Sequence, residues 1–245
     1  MDVINGEIFF SESFRKWRSR MVYRRTERGE ARYYRRRTEI IAAAKKLFTE
    51  NGYEATTMQD VVRKAGTSIG NCYFYFSNKE SLLLVVVKDI IAEAWNSLHP
   101  AFSNVSGGAV RLGYALYQNI TLLLEHKHIG RLMLRALSLP AIKDAVLDEY
   151  WRRVKFIADE SPELFNHVDV DLKIHAAQGA GLALVEMNLM NNRPHDPVQV
   201  GFFYTRYVLN ALDFPKDIVE ETMKTIGNAV APKHRLDSAA PRAFM

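Results

Sequence analysis

The stretch from Thr56 to Leu82 decides how this chain folds, and it reads TTMQDVVRKAGTSIGNCYFYFSNKESL. It opens with a helix-start signal, because either Thr56 with Gln59 or Thr57 with Asp60 has the three-residue spacing of a capping box. In a capping box, a hydroxyl accepts from the backbone N–H three residues later, and the acid or amide side chain at that later position bonds back. The spacing therefore predicts a short helix that begins at the threonines.

A turn and a second short helix follow. Gly66 favours the left-handed conformation at which helices commonly end, and Ser68 is a good N-cap for the segment after it. The segment from Ser68 to Phe76 has room for about two turns and contains no acidic residue. A helix of this composition can approach phosphate groups without electrostatic repulsion.

The start of a third, longer helix is predicted at Ser77 and Glu80, which have the spacing of a second capping box. Lys79 then falls in the first turn of that helix, where its ammonium is well placed for a phosphate. A two-turn helix is not stable by itself. A helix from Arg36 to Asn51, with apolar residues at a period of about 3.6, is therefore predicted to pack behind it.

Residues 35–95 resemble the DNA-binding domain of the TetR family of transcriptional regulators, over about a quarter of the chain. The resemblance lies in the paired threonines, the A-G turn, the G-x-x-Y of the second short helix and the F-x-x-K-E-x-L after it. It implies an all-α protein, with a three-helix N-terminal DNA-binding domain containing a helix-turn-helix and a larger helical domain for ligand binding and dimerisation. It also implies a homodimer that binds a double-stranded DNA operator.

The resemblance assigns roles to residues around the second short helix. It implies that Thr57, Tyr73 and Lys79 contact phosphates. The residues implied to face base edges or the neighbouring backbone are Ser68, Ile69, Asn71 and Tyr75, and Gly70 allows close approach. Asn71 is the best candidate for direct base readout, because its amide can bond adenine in a bidentate manner. The full set of implied DNA contacts in this region is Thr57, Ser68, Ile69, Gly70, Asn71, Tyr73, Tyr75 and Lys79.

Composition bounds the class of protein. At 245 residues with 48% apolar content, the chain is long enough for one large or two small domains with a real core. Cys72 is the single cysteine, which suits a reducing compartment, and a small buried hydrophobe is the better interpretation of it than a redox switch. No apolar run of about eighteen residues and no secretory signal is present. The sequence therefore predicts a cytoplasmic protein with no membrane partner.

The net charge of +5 is concentrated at the N-terminus. Residues 1–37 contain eleven Lys or Arg against five Asp or Glu, whereas the remainder contains 22 basic and 23 acidic residues. Residues 1–34 are expected to form a basic, disordered leader, but a DNA-binding extension and a basic amphipathic helix on an anionic membrane stay open. Arg36 and Arg37, at the start of the first helix, can reach adjacent phosphates or the minor groove.

The rest of the chain predicts helices and no strands. The DNA-binding domain is expected over 35–95, the ligand-binding and dimerisation domain over 96–231, and a flexible tail over 232–245. Helices 170–191 and 198–212 carry more small and apolar residues than one domain interior needs, so they are predicted to form a four-helix dimer seam. The other helices are expected at 77–98, ending near His99-Pro100, and at 109–126, 129–138, 142–160 and 215 to about 230.

The second domain has no motif that names a ligand. Its aromatic and methionine residues suggest an apolar or amphipathic effector, although such residues are more often ordinary core. His175 and Gln178 share roughly one side of a helix with Glu186, either as ligand contacts or as a polar strip at the dimer seam. The candidate ligand contacts are Trp95, Tyr114, Tyr117, Met133, Trp151, His175 and Gln178.

Catalytic and metal-binding patterns have little support. His126 and His128 are two residues apart, and His167, Asp169 and Asp171 lie in a loop, which fits neither a zinc site nor a nucleophile triad. We therefore expect no enzyme, no metal and no cofactor. The sequence favours a homodimeric repressor that a small ligand releases from a pseudo-palindromic operator. The alternative is a non-sequence-specific, architectural DNA-associated protein that acts through the leader, and a helical enzyme or lipid-binding module comes third.

Overall fold

The fold is all-α, as predicted. The computed structural model describes residues 2–4, 7–9, 27–102, 107–159, 170–191 and 194–236. One short antiparallel hairpin precedes the helices and pairs Val3 with Ile8. Its strands are β1 (Asp2–Ile4) and β2 (Glu7–Phe9).

The helices fall into an N-terminal group, which contains the helix-turn-helix, and a C-terminal group. The first group and the helix that follows it are α1 (Glu27–Glu50), α2 (Met58–Ala65), α3 (Ile69–Tyr75) and α4 (Lys79–Phe102). The second group is α5 (Gly108–Glu125), α6 (Lys127–Leu137), α7 (Pro140–Asp159), α8 (Val170–Met190), α9 (Pro197–Ala211) and α10 (Lys216–Leu236).

The chain divides into two compact units, Met1–Ile40 and Ile41–Met245. The first unit holds the hairpin and the beginning of α1. The second holds the rest of α1 and α2 to α10, including residues 41–95 of the stretch that resembles a DNA-binding domain. The finer division at residues 95 and 231 stays a prediction.

Helix α1 begins at Glu27, nine residues before the predicted start at Arg36. Residues 27–39 are rich in Arg and Glu, which are good helix formers, and they contain no proline. Arg36 also pairs with Glu39 at 2.8 Å on the same helix face. The helix therefore extends into the segment expected to be a disordered leader, and a truncation that removes the leader should stop at residue 26.

Local capping signals place α2 and α3 as predicted. Thr57 is the N-cap of α2 and forms the full capping box with Asp60, which decides between the two threonine pairs. Gly66 ends α2 at φ 60°, in the left-handed region that glycine tolerates best. The Ser68 hydroxyl accepts from Asn71 N at 3.2 Å and so caps α3.

The start of α4 differs from the prediction. Ser81 N donates to Asn78 Oδ1 at 2.7 Å, and Asn78 N donates to Ser81 Oγ at 3.2 Å. The capping pair is therefore Asn78 with Ser81, one residue later than Ser77 with Glu80. The prediction was wrong because the returning side chain is a serine hydroxyl, which the usual acid-or-amide pattern does not include.

Two helices continue past prolines that were expected to end them. Helix α4 runs through Pro100 to Phe102, and α10 runs through Pro232 to Leu236. Each proline lies close to the C-terminal end, where the missing N–H and the ring clash affect only the last turns. The 24 residues of α4 span about 36 Å at 1.5 Å per residue.

Helix α5 lies at the centre of the C-terminal group, α5 to α10. It packs most extensively against α9 and α10, and it also contacts α6, α7 and α8. Leu112, Leu116, Ile120 and Leu124 are all buried along it. Asp196 caps α9 by accepting from Val198 N at 3.1 Å, as its position before a first-turn proline predicts.

Within the described residues, no helix combines the length and the apolar character needed to cross a membrane.

Candidate nucleic-acid interface and ligand cavity

Helix α3 turns one face outward and one face into the domain. Ile69 is 43% exposed, Tyr73 is 49% exposed, and Ser68, Gly70 and Asn71 are exposed beside them. Cys72 points the other way and is fully buried, and burial raises the pKa of its thiol. Such a thiol is mostly protonated at neutral pH, which agrees with the interpretation as a small hydrophobe rather than a redox switch.

The exposed face contains an aromatic residue that the sequence interpretation missed. Phe74 is 70% exposed, more than Tyr73, while Tyr75 is half-buried and packs edge-to-face on the Phe74 ring at 5.1 Å. A phenylalanine in that position reads as core from the sequence alone. Between Gly66 and Lys79 there is no Asp or Glu, so the face carries no negative charge of its own.

Asn71 is held in place before any DNA arrives. Its Nδ2 donates to Thr67 Oγ1 at 3.3 Å, and its backbone N–H donates to the Ser68 hydroxyl. The first bond restricts the rotamer of the amide on an otherwise exposed side chain, and the second fixes the backbone that carries it. A side chain that is already restricted loses less conformational entropy when it bonds a base edge.

Thr57 uses both of its donors within α2. Its hydroxyl donates to Asp60 Oδ2 at 2.6 Å, and its backbone N–H donates to the same oxygen at 2.9 Å. The hydroxyl bond is the main reason why the pKa of Asp60 lies below its usual range. A phosphate contact by Thr57 would have to replace one of these bonds, so that role stays a prediction.

The ammonium of Lys79 makes more contacts within the protein than its sequence position suggests. Its Nζ donates to the carbonyl oxygens of Tyr53 at 2.8 Å and Thr56 at 2.9 Å, in the loop between α1 and α2. The same ammonium lies 4.1 Å from the centroid of the Tyr53 ring. An ammonium has three N–H donors, so one is left for a phosphate.

Arg36 and Arg37 lie on α1 within the first unit. Both are half-buried, and Arg36 forms the ion pair with Glu39 described above. Their contacts with DNA stay predictions.

The second candidate site is a cavity of about 280 Å³ between α4, α5, α6, α7 and α8, with Tyr204 of α9 in its wall. We call it the central cavity. A smaller space of about 80 Å³ adjoins it. The two share wall residues, namely Ile91, Asn119, Leu123, Met133 and Tyr150.

The central cavity brings together some of the candidate ligand contacts. Met133, His175 and Gln178 line it, and Trp95 lines the adjoining smaller space. Tyr114 and Tyr117 line neither space, because they are buried against Ile226 and Val230 in a separate cluster. They were assigned to the ligand from residue type alone, which does not distinguish core from cavity wall. The side chain of Trp151 lies outside the described residues.

Three polar wall residues were missed. Tyr150 lines both spaces, and burial raises its pKa to about 12, so its phenol stays a neutral hydrogen-bond donor at neutral pH. Asn119 also lines both, and Lys143 lines the central cavity. No spacing rule points to them, because helices α5 and α7 meet around the cavity only in the folded protein.

The floor of the central cavity contains a buried tyrosine and a buried amide. Tyr204 donates its hydroxyl to Ala177 O at 3.1 Å, and burial raises its pKa well above the usual value. Gln178 Nε2 is buried and has no hydrogen-bond acceptor among the described residues. Buried amide donors without partners are uncommon in native proteins.

Helix α6 connects the cavity with the loop before α2. Met133, Leu134 and Leu137 line the central cavity. Between them, Arg135 Nε lies 2.5 Å from Glu54 Oε1, and the Arg135 guanidinium carbon lies 5.6 Å from the centroid of the Tyr53 ring. One helix therefore borders the cavity and contacts the loop that precedes the helix-turn-helix.

Among the residues that the structure describes, no cluster of three or more His, Cys, Asp or Glu side chains could hold a metal ion.

Comparison with known proteins agrees with this arrangement. The family model described as "Bacterial regulatory proteins, tetR family" matches residues 40–86. The HTH-type transcriptional regulator HbdR of Aromatoleum sp. (strain CIB) is 43% identical over 56 residues, which are 23% of this chain and 24% of the relative. The sequence match therefore spans about a quarter of that curated relative. The relatives found are regulators rather than enzymes.

Solved structures share the fold over most of the chain. RolR in complex with resorcinol has a TM-score of 0.65 at 18% identity and covers 79% of this chain and 95% of its own. FadR from Bacillus subtilis in complex with stearoyl-CoA has a TM-score of 0.58 at 20% identity and covers 71% and 98%. These findings show that residues 40–86, which contain the helix-turn-helix, match the tetR family of bacterial regulatory proteins, and that most of the chain shares its fold with RolR and FadR.

Proposed function

We propose that the protein is a homodimeric transcriptional repressor that a small amphipathic ligand releases from a pseudo-palindromic DNA operator. The observation that carries this proposal is the double role of α6. Its Met133 and Leu134 border the central cavity. The next residue of the helix, Arg135, pairs with Glu54 beside the helix-turn-helix. A ligand that moves α6 therefore changes a contact with the DNA-binding region.

DNA recognition is assigned to the exposed face of α3. Ile69, Asn71 and Tyr73 project from a short helix whose two ends are fixed by Ser68 and by the buried Phe76. Side chains on such a helix can reach base edges in the major groove, while phosphate contacts fix the register. Two copies related by a two-fold axis would read two half-sites of opposite orientation.

The homodimer is supported by an apolar face on α8 and α9. Leu172 and Met190 are each 72% exposed, and Phe203 is 62% exposed. Further exposed small and apolar residues on these helices are Ala176, Gly179, Ala183, Met187 and Tyr207. Exposed apolar surface of this extent is typical of an interaction site, and small residues allow two helices to approach closely.

The ligand response is supported because the helix that borders the cavity also carries the ion pair to the DNA-binding region. Ligand binding can shift an equilibrium only if the two conformations bind the ligand differently. A movement of α6 would change the cavity wall and the Arg135–Glu54 distance together, so the two conformations would bind a ligand differently.

A small-molecule screen against the protein–operator complex tests the proposal. The expected result is a compound that lowers operator affinity in the native chain and whose effect shrinks in Arg135→Gln, while the operator affinity without compound is little changed. Exposed ion pairs contribute only about 0–1 kcal/mol, so the substitution should not unfold the domain. If Arg135→Gln responds to the compound as fully as the native chain does, this route of coupling is wrong.

A further inference from the structure

The charge of the cavity wall is one-sided. Lys143 lines the central cavity and Arg153 lines the adjoining space, whereas no Asp or Glu lines either space among the residues described. Arg153 is already paired with Glu149. Lys143 forms no salt bridge with any described residue, so its charge is available at the cavity.

Lys143 and Gln178 differ in position. Lys143 is an exposed residue of α7 that also lines the cavity, which places it at the opening. Gln178 Nε2 is buried in the wall, and no described residue offers it an acceptor. Because buried donors are nearly always satisfied by protein or ordered water, a molecule in the cavity with an acceptor oxygen gains a hydrogen bond there.

Most of the remaining wall is apolar, although Asn119, Tyr150, His175 and Tyr204 also line it. Aliphatic side chains from five helices cover most of it, and they are Ile91, Ile120, Leu134, Leu137, Val146 and Val185. Its volume of about 280 Å³ lies at the lower end of the range of about 300–1,000 Å³ for ligand pockets. A ligand of medium size with an apolar body fits this space better than a long chain.

We propose that the central cavity binds an anionic amphiphile of medium size, with its acidic group at Lys143 and an acceptor oxygen bonded to Gln178 Nε2. This inference rests on the proposed ligand response and names the chemical class of the effector. A fatty carboxylate and a fatty acyl-coenzyme A share this chemistry, because each has an apolar chain, a carbonyl oxygen and negative charge, which the phosphates supply in the coenzyme.

The test is titration calorimetry of the full chain with four decyl probes below their micelle concentrations. These are decanoate, decanoyl-coenzyme A, 1-decanol and decylamine. Decanoate or its thioester should bind more tightly than the neutral alcohol and the cationic amine, and the better of the two anions identifies the source. Tightest binding of decylamine, or equal binding of all four probes, would overturn the proposal.

Substitutions separate charge from shape. Lys143→Met should weaken the binding of the anion by about fivefold, which is the most that an exposed ion pair supports. The affinity for 1-decanol should stay unchanged. The matched control is Lys155→Met, an exposed lysine on the same helix that lines neither space. If both lysine variants bind decanoate like the native chain, Lys143 does not hold the acidic group.

Gln178→Leu gives a second readout that does not depend on Lys143. Replacing a buried unpaired donor by an apolar group should raise the melting temperature of the ligand-free protein and lower its affinity for decanoate. A lower melting temperature with unchanged decanoate affinity would overturn the role of Gln178.

Operator binding measured in parallel distinguishes this inference from the proposed function. If decanoate binds but operator affinity does not change, the ligand class stands and the ligand response fails. If the operator is bound specifically and no anion binds the cavity, the regulator stands and the ligand class fails.

Discussion

The ammonium of Lys79 lies 4.1 Å from the centroid of the Tyr53 ring and donates to the Tyr53 carbonyl oxygen at 2.8 Å. It thus joins the first residue of α4 to the loop that precedes α2, across 26 residues of sequence. The ring of Tyr53 also packs edge-to-face on Phe48 at 5.3 Å. Lys79 therefore holds the helix-turn-helix in shape, whether or not its third donor meets a phosphate.

Replacing Lys79 by methionine should lower stability as well as DNA affinity. The substitution keeps most of the aliphatic chain and leaves two loop carbonyls without their charged donor, which costs about 1–3 kcal/mol. Urea unfolding measures this loss, with Lys46→Met, an exposed lysine on α1, as the control. If the third donor contacts DNA, the salt dependence of operator binding should also fall by roughly one per subunit. Unchanged urea unfolding would contradict the role described here.

Alanine substitutions of Asn71 and Tyr73 should impair DNA binding in different ways. Asn71→Ala should weaken operator binding and relax one base position, because a bidentate amide contributes about 1–3 kcal/mol of discrimination. Tyr73→Ala should weaken all sequences by similar factors, because a phosphate contact carries no base information. Binding-site selection with each variant measures the difference. An unchanged consensus for Asn71→Ala would show that another residue reads the bases.

Arginine on the exposed face of α8 should produce monomers. Ala176 and Ala183 are both exposed and lie seven residues apart on one face, so two charges there would be buried without partners in a seam. Ala180 is half-buried, and arginine there would also strain the fold. Sedimentation of Ala176→Arg/Ala183→Arg measures the change, with the exposed Ala141→Arg on α7 as the control. A double variant that remains a dimer would place the seam elsewhere.

Gly201 marks a close approach of α9 to α5. A Cβ there would lie 2.6 Å from Thr121 Cγ2 and 2.8 Å from Tyr117 Cε2. Gly201→Ala should therefore destabilise the protein by about 1–3 kcal/mol through overpacking. At Gly227 the nearest atom, Phe202 Cζ, is 3.9 Å away, so Gly227→Ala should be neutral or stabilising. Thermal unfolding that shows no difference between the two variants would contradict the packing.

Local signals were read correctly from the sequence because their partners lie within a few residues. The Thr57 capping box, the Gly66 turn and the Asp196 cap each depend on three or four neighbouring positions. The errors at Asn78 and at the prolines near helix ends show that several residue types satisfy the same local requirement. Spacing alone does not choose between them.

Contacts between distant residues could not be predicted in this way. The bond from Lys79 to Tyr53 and the ion pair from Arg135 to Glu54 depend on how helices are placed, which no local pattern encodes. The same reason explains why Tyr150 rather than the two tyrosines of α5 lines the cavity. Residue type marks candidates, and only the packing of five helices separates cavity wall from core.

The central claim, that α3 reads a specific operator, is tested most directly by selecting bound duplexes from random DNA and footprinting the enriched sequence. The account predicts enrichment of one inverted repeat, protection confined to that repeat, and loss of a defined base preference in Asn71→Ala. Uniform protection along any duplex, with no sequence enriched, would contradict the claim and favour non-specific binding through the basic N-terminal residues.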